Sequence, residues 1–531
     1  MRASFLVTLG LACCAAIAEE PPAAALEAQV QAIAESARAR TVLVVGVVGT
    51  GSGAVITPRG RVITNAHVVA GARYAVCRWA DGSERLMRRL GVDYGQDLAL
   101  LEPAEAVTSA LPCFPWRGDA PRAGTWVLGL GFPGGFRGDD WAVASLGRVV
   151  GQADQSRASG VFDYQGALQS DTPIFSGNSG GPLVDLEGRL IGLNGAADIQ
   201  RAQALTIPEA RIKARLPELE AGWILLPTGL RLHPERTPVL QAFYRATDGL
   251  ARELPQRLSR QVQGQPEDAA TPAAGDAEPF SPGLRELVAV AAATPRQRAL
   301  RGLLGPAPRV APGARAWAPV DPRHAVTLAG DLRVGARLED AGRRFVVAAL
   351  SPDDDLALLE VEGPPFAAVQ LAPARPIGSL VQVLGASGPL GAGIVSSRAR
   401  TVGAGFLRRL RGGGGGPLAG AVEGLRKLAE RLRLAALAEL LEQLDRAQQL
   451  REAFSGGTAA RGYASVLSID APVDPAQLGG AVLDRAGRLV GVSVGIPHSG
   501  TTYVVPWTRI WRAFGPRLAP APQERGALRL Y

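Results

Sequence analysis

The residues best suited to chemistry lie in the stretch Ser170-Asp-Thr-Pro-Ile-Phe-Ser-Gly-Asn-Ser-Gly-Gly-Pro-Leu-Val184. At its centre, Gly177-Asn178-Ser179-Gly180-Gly181-Pro182 sets one serine among glycines. A serine hydroxyl attacks a carbonyl only when a base takes its proton and donors hold the oxyanion that forms. Gly177 can bend the backbone so that its own N–H and that of Ser179 point at one spot. Gly180 and Gly181 are expected to leave room for a substrate backbone beside the hydroxyl. The base must come from elsewhere. Thr64-Asn65-Ala66-His67-Val68-Val69 offers an imidazole, and Asp97-Leu98-Ala99-Leu100-Leu101 offers an acid leading into an apolar strand. His67, Asp97 and Ser179 would then serve as base, orienting carboxylate and nucleophile.

In that order and with those flanks, the chain resembles the chymotrypsin-like serine peptidases, and within them the HtrA-type bacterial branch. The resemblance is carried by Gly51-Ser52-Gly53, Thr64-Asn65-Ala66-His67, Asp97-Leu98-Ala99-Leu100-Leu101 and Gly177-Asn178-Ser179-Gly180-Gly181-Pro182-Leu183. Asn178, where animal digestive enzymes usually carry Asp, points to the bacterial branch. The close likeness covers residues 41–215. It implies catalysis by His67, Asp97 and Ser179, with the backbone N–H groups of Gly177 and Ser179 as the oxyanion hole. It implies a pocket for the residue before the scissile bond, lined by Leu193, Asn194 and Gly195, small and uncharged enough to suit small aliphatic side chains. It also implies polypeptide substrates, no metal or organic cofactor, and a role in envelope protein quality control. Relatives are often trimers, so a homo-oligomer is allowed. The chain departs from the usual layout in one respect: no PDZ module follows the peptidase domain.

The elements that must position these residues are short strands. Thr41–Val48 is a β-branched run, Val62-Ile63-Thr64 ends just before His67, and Leu98–Glu102, Trp126–Leu130, Leu190–Leu193 and Leu205–Pro208 follow at close spacing with Gly and Pro turns between them. That pattern argues for antiparallel barrels. Gly49-Thr-Gly-Ser-Gly53 is not a phosphate loop, because no Gly-Lys-Ser/Thr ends it and no helix follows. Leu26, Val30, Ile33 and Ala37 recur at helical spacing, so residues 23–39 are expected to form an amphipathic helix on the first barrel.

The second half repeats the first in worn form. Asp355-Leu-Ala-Leu-Leu-Glu360 matches Asp97-Leu-Ala-Leu-Leu-Glu102, Asp470-Ala-Pro472 matches Asp171-Thr-Pro173, and Gly487-Arg-Leu-Val-Gly491 matches Gly188-Arg-Leu-Ile-Gly192. By this local register His67 falls on Asp331 and Ser179 on Leu478, so the second copy lacks a base and a nucleophile. The fold expected is mostly β: tandem trypsin-like double β-barrel domains, the first active and the second a pseudo-peptidase, with a helical linker and a helical insert. The boundaries are a signal peptide at 1–18, the peptidase domain at 19–220, a helical, Pro/Ala-rich linker at 221–304, the degenerate domain at 305–515 and a tail at 516–531. Within the linker, Thr237–Val262 and Leu284–Leu304 read as helical. The insert at 412–456 carries a stripe of Leu425, Leu428, Leu432, Leu441 and Leu444.

Composition narrows the remaining classes. The chain has 531 residues and a net charge of +8, but its charge is dispersed, with no basic run interleaved with aromatics, so a nucleic-acid partner has no motif behind it. Arg2 followed by an apolar run from Phe5 to Ile17 reads as an export signal too short to span a membrane. No transmembrane segment remains after its removal, and the protein is expected in the periplasm. Cys13 and Cys14 raise a lipid anchor, which the preceding residues do not favour. Cys77 and Cys113 are left in an oxidising compartment as a disulfide or as two separate thiols. Of the four histidines only His67 sits in a chemical motif. A reading from a different class, a scaffold or binding protein with latent or no proteolytic activity, is motivated by the large degenerate half.

Overall fold

A computed structural model of the chain describes residues 21–47, 50–133, 142–153, 162, 164–175, 177–198, 201–264, 288–305, 313, 315–367, 369–386, 388–402, 463–498 and 500–518. The leader, the insert at 412–456 and most of the tail lie outside them.

After helix α1 (Ala23–Arg38) come β1 (Thr41–Val45), β2 (Thr50–Val55), β3 (Val62–Thr64), β4 (Tyr74–Arg78), β5 (Glu84–Asp93) and β6 (Leu98–Pro103). Their antiparallel pairings run β5-β4-β1-β2-β3-β6 and close through β5–β6, giving a six-stranded barrel. A second closed barrel follows: β7 (Trp126–Gly131), β8 (Val143–Gln152), β9 (Leu168–Ser170), β10 (Pro182–Asp185), β11 (Leu190–Asp198) and β12 (Gln203–Pro208). Helix α2 (Glu209–Glu220) ends the unit.

The β1 run is apolar at every position because both faces are covered. Val42 and Val44 enter the first barrel's core, while Leu43 and Val45 join the cluster that holds α1 and the second barrel. Thr50 to Gly53, within the glycine-rich stretch, belong to strand β2. Gly53 lies so close to its neighbours that a Cβ there would sit 2.5 Å from Val62 Cγ1, and one on Gly51 would sit 2.6 Å from Val68 Cγ2. The glycines serve strand packing.

The linker is partly packed structure. Strands β13 (Ile224–Leu225) and β14 (Arg231–Leu232) extend the first barrel, and α3 (Pro238–Gly264) lies on it, with Arg89 and Tyr244 hydrogen-bonded at 3.1 Å. The helix expected over 284–304 is interrupted: α4 (Pro295–Leu304) starts afresh, with Thr294 as N-cap and Pro295 in its first turn, where the missing N–H costs nothing.

The second half holds a five-stranded sheet, β15 (Ala318–Pro319), β16 (His324–Leu328), β17 (Arg337–Asp340), β18 (Arg343–Ser351) and β19 (Leu356–Glu362), in the order β15-β16-β19-β18-β17. Among the described residues no counterpart of β1 closes it. A seven-stranded sheet follows: β20 (Leu380–Gly385), β21 (Gly388–Ile394), β22 (Arg400–Val402), β23 (Tyr463–Ile469), β24 (Ala481–Asp484), β25 (Leu489–His498) and β26 (Thr501–Pro506), then α5 (Trp507–Phe514).

Matching hydrogen bonds in the two halves correct one expected pairing. Thr64 Oγ1 donates to the Ser52 carbonyl at 2.6 Å, as Thr327 Oγ1 donates to that of Ala316 at 2.7 Å. Counting on from Thr64 and Thr327, His67 falls on Gly330, not Asp331. The backbone agrees: the His67 N–H donates to Asp97 Oδ1 and the Gly330 N–H to Asp355 Oδ1. The slip arose because the loop lengths around this strand differ between the halves. Ser179 does fall on Leu478, since Gly180 and Gly479 donate to the Asn194 and Ser493 carbonyls respectively.

The halves share a core. Leu26, Val30 and Ile33 of α1 and Leu300 of α4 lie in one cluster with Leu128 and Leu130 of the first half and Leu380 and Ile394 of the second. Helix α1 therefore packs on both halves rather than on the first alone. Its polar flank faces the second half: Glu27 accepts from the Leu380 N–H at 3.1 Å, and Gln31 donates to Ser379 Oγ at 3.2 Å.

Candidate active site

The site lies where the two barrels of the first half meet. His67 sits in a 3-10 turn, Ala66–Val69, directly after β3, and Asp97 in the connection leading into β6. Because β3 pairs with β6 in register Thr64↔Ala99, these two segments leave the barrel side by side. Asp97 holds the left-handed backbone conformation, φ 54°, which is uncommon for a residue with a side chain. Asn65 Nδ2 donates to its carbonyl at 3.0 Å and helps hold it there.

The carboxylate of Asp97 has no exposure to solvent, so it depends on protein donors. Oδ1 accepts the His67 backbone N–H at 3.0 Å, and Oδ2 lies 2.9 Å from His67 Nδ1. This leaves Nε2 of the imidazole as the nitrogen available for proton transfer. One side of the ring faces Phe162, with centroids 5.7 Å apart. The hydroxyl of Tyr164 also reaches Asp97 Oδ2, at 2.7 Å. Sequence reasoning missed Tyr164, since nothing in its local context sets it apart from a core tyrosine.

Ser179 is partly buried. Its Oγ lies 3.5 Å from the Gly195 carbonyl, at the long limit of a hydrogen bond. Gly177 has φ 97°, which only glycine adopts at low cost. Its carbonyl accepts from Ser52 Oγ at 2.6 Å, and the Asn178 N–H closes a turn onto the Phe175 carbonyl at 2.8 Å. Among the described residues no internal acceptor takes the N–H of Gly177 or of Ser179. Two unsatisfied donors beside a hydroxyl are what an oxyanion would use.

The following glycines have a different purpose from the one expected. A Cβ on Gly180 would lie 2.2 Å from Thr64 Oγ1 and 2.3 Å from the Ser52 carbonyl, and one on Gly181 would lie 2.1 Å from the Leu130 carbonyl. The room beside the serine is filled by the protein's own backbone, which locks the nucleophile loop between the barrels.

Of the expected pocket residues, Leu193 and Asn194 have no exposure, and Asn194 is hydrogen-bonded to Pro182 and Thr206 inside the barrel. The Gly195 carbonyl faces Ser179 Oγ, and the Asn194 carbonyl accepts the Gly180 N–H beside it. Cys77 and Cys113 are free thiols. His233 is bonded to the Ala221 carbonyl, and His324 is paired with Asp321 at 2.9 Å. Among the described residues no group of three or more side chains could hold a metal ion, and no helix is long and apolar enough to cross a membrane.

The sequence profile of the trypsin-like peptidase domain matches residues 51–193 and again residues 320–492, together more than half of the chain. A "probable periplasmic serine endoprotease DegP-like" of Pseudomonas fluorescens is 34% identical over 144 residues, which is 27% of this chain and 28% of that protein. One of the same name from Bartonella henselae is 33% identical over 199 residues, covering 35% of this chain and 36% of its own length. The chain thus spans roughly a third of the length of these relatives. The solved Rv3671c protease of M. tuberculosis, in an inactive form, covers 37% of this chain and 96% of its own at 24% identity, with a TM-score of 0.32.

Proposed function

The chain belongs to the trypsin-like peptidase family, and from that premise we propose that it is a serine endopeptidase acting on polypeptides, with His67, Asp97 and Ser179 as catalytic residues. The observation that carries the reading is a fully buried Asp97 bonded to His67 Nδ1, together with a serine beside two backbone N–H groups that have no acceptor among the described residues. Ser179 Oγ attacks the peptide carbonyl as His67 Nε2 takes its proton. The carbonyl oxygen becomes an oxyanion held by the Gly177 and Ser179 N–H groups. His67 then delivers the proton to the leaving amine, and the C–N bond breaks to leave an acyl-enzyme. Water repeats the sequence with its own proton and frees Ser179. Asp97 holds the imidazole in the tautomer with Nδ1 protonated and stabilises the imidazolium. No metal or organic cofactor takes part in these steps.

The names of the relatives extend the proposal to an exported enzyme working on envelope proteins. Its test is cleavage of an unfolded protein by the mature chain, lost in Ser179→Ala. Cleavage that survives the substitution would end the proposal.

A second reading rests on the second half, where Gly330 and Leu478 stand in place of His67 and Ser179 yet the core is shared with the first half. On that reading the degenerate half is a scaffold or regulator of the first. It stands as the main function if Ser179→Ala retains the full biological effect.

A further inference from the structure

We propose that Tyr164 is a positioning residue for the catalytic pair: its hydroxyl fixes the Asp97 carboxylate and moderates the negative charge that His67 feels. The inference rests on the peptidase reading of the same site. His67 Nδ1 lies 2.9 Å from Asp97 Oδ2 and 3.0 Å from Oδ1, and Tyr164 OH donates to Oδ2 at 2.7 Å, so the imidazole and the phenol draw on the charge of one carboxylate. With Oδ1 occupied by the His67 backbone, the carboxylate cannot rotate without losing a donor in a place that water does not reach.

Tyr164 is itself buried, and burial followed by the Asp97 charge pushes its phenol well above the ordinary value. It therefore keeps its proton and acts as a donor. The other charged group acting on it is Arg211, which works in the opposite direction and is bonded to the Gln165 carbonyl.

Gly195 makes the arrangement sterically feasible. A Cβ there would lie 2.5 Å from Tyr164 Cε1 and 2.7 Å from its hydroxyl oxygen. Glycine at 195 is thus the condition for the ring to reach Asp97.

The second half holds a tyrosine at the matching place. Tyr463 precedes Asp470 by the same interval at which Tyr164 precedes Asp171. Where Gly330 replaces the histidine, the Tyr463 hydroxyl donates to the Val494 carbonyl at 2.9 Å. A tyrosine stands at this place in both halves, and in the first its hydroxyl reaches the carboxylate that holds the imidazole.

The test is Tyr164→Phe in the full chain, which keeps the ring and removes the hydroxyl. With one donor fewer, Asp97 stabilises the imidazolium more strongly. The His67 titration, followed by NMR of the imidazole signals and assigned with a His67→Gln chain, should move up by about half a pH unit, and labelling of Ser179 by a fluorophosphonate should slow about threefold on the acid side of its pH profile. Gly195→Ala, which displaces the ring, should move His67 in the same direction. An unchanged His67 titration in both variants overturns the proposal, even if labelling slows uniformly across pH, because uniform slowing is what lost packing alone would give. A shifted titration in a chain whose Ser179 never labels supports the positioning role and removes the peptidase reading instead.

Discussion

Replacing Arg296 with methionine should weaken the junction between the halves in a pH-dependent way. Arg296 lies at the start of α4 with 2% exposure. Its backbone N–H donates to Asp171 Oδ2 at 2.6 Å, in the strand end that leads to the nucleophile loop. Its guanidinium bonds the Asp470 carbonyl and lies 3.3 Å from Asp470 Oδ1. Asp470 is fully buried and also accepts the Leu146 N–H of the first half at 2.7 Å. Removing the cation leaves a buried carboxylate with only backbone donors, a loss of about 3 kcal/mol for a broken buried pair. Burial already raises the Asp470 carboxyl above its ordinary value, and Arg296 opposes that shift. Without Arg296 it rises further. A carboxyl with a raised folded pKa binds more protons in the folded state, so stability falls as pH climbs from the unfolded value of about 3.9 through the folded one. Urea unfolding between about pH 4 and about pH 8 should show a deficit that is small at the acid end and largest near neutrality. Asp470→Asn in the Arg296→Met background should recover about 1–2 kcal/mol at neutral pH, the signature of coupled neighbours. A methionine variant as stable as the parent at neutral pH, or a deficit independent of pH, would refute the reasoning.

Three further outcomes follow from the same contacts. Asp97→Asn keeps the size of the side chain but not the tautomer it enforces, so Ser179 labelling should fall by about 10⁴-fold while the chain stays folded, as checked by circular dichroism. Gly180→Ala meets both a positive φ of 80° and backbone within 2.3 Å. It should lower the unfolding temperature and abolish labelling together, whereas retained labelling would show that the loop has room to shift. The Cys77 thiol is buried, which raises its pKa, and both cysteines are free. Iodoacetamide with peptide mapping should therefore leave Cys77 unmodified in the native chain and modify it in urea, and a reductant should not move the unfolding temperature.

The motifs around His67, Asp97 and Ser179 were legible because each requires several residue types in a fixed local order, and the repeat of Asp-Leu-Ala-Leu-Leu disclosed the second copy. What was not legible depends on contacts distant in sequence. Gly180 and Gly181 read as space for substrate, but their neighbours are Ser52, Thr64 and Leu130, brought in by the other barrel. The stripe on α1 showed that the helix is buried, not that two units bury it. Tyr164, between Asp163 and Gln165, carries no local mark until the fold sets it against Gly195 and Asp97. The match of His67 to Asp331 is off by one residue because the stretch from Pro322 to Thr327 is one residue shorter than that from Pro58 to Thr64, and the bonds of Thr327 and Gly330 supply the register.

The most direct test of the central claim is fluorophosphonate labelling of the mature protein, with the modified peptide mapped and Ser179→Ala as control. Label confined to Ser179 and absent from the control is the predicted result, since only a serine with a working base and oxyanion donors reacts at a useful rate. A well-folded protein that takes up no label would contradict the assignment of Ser179 as an activated nucleophile.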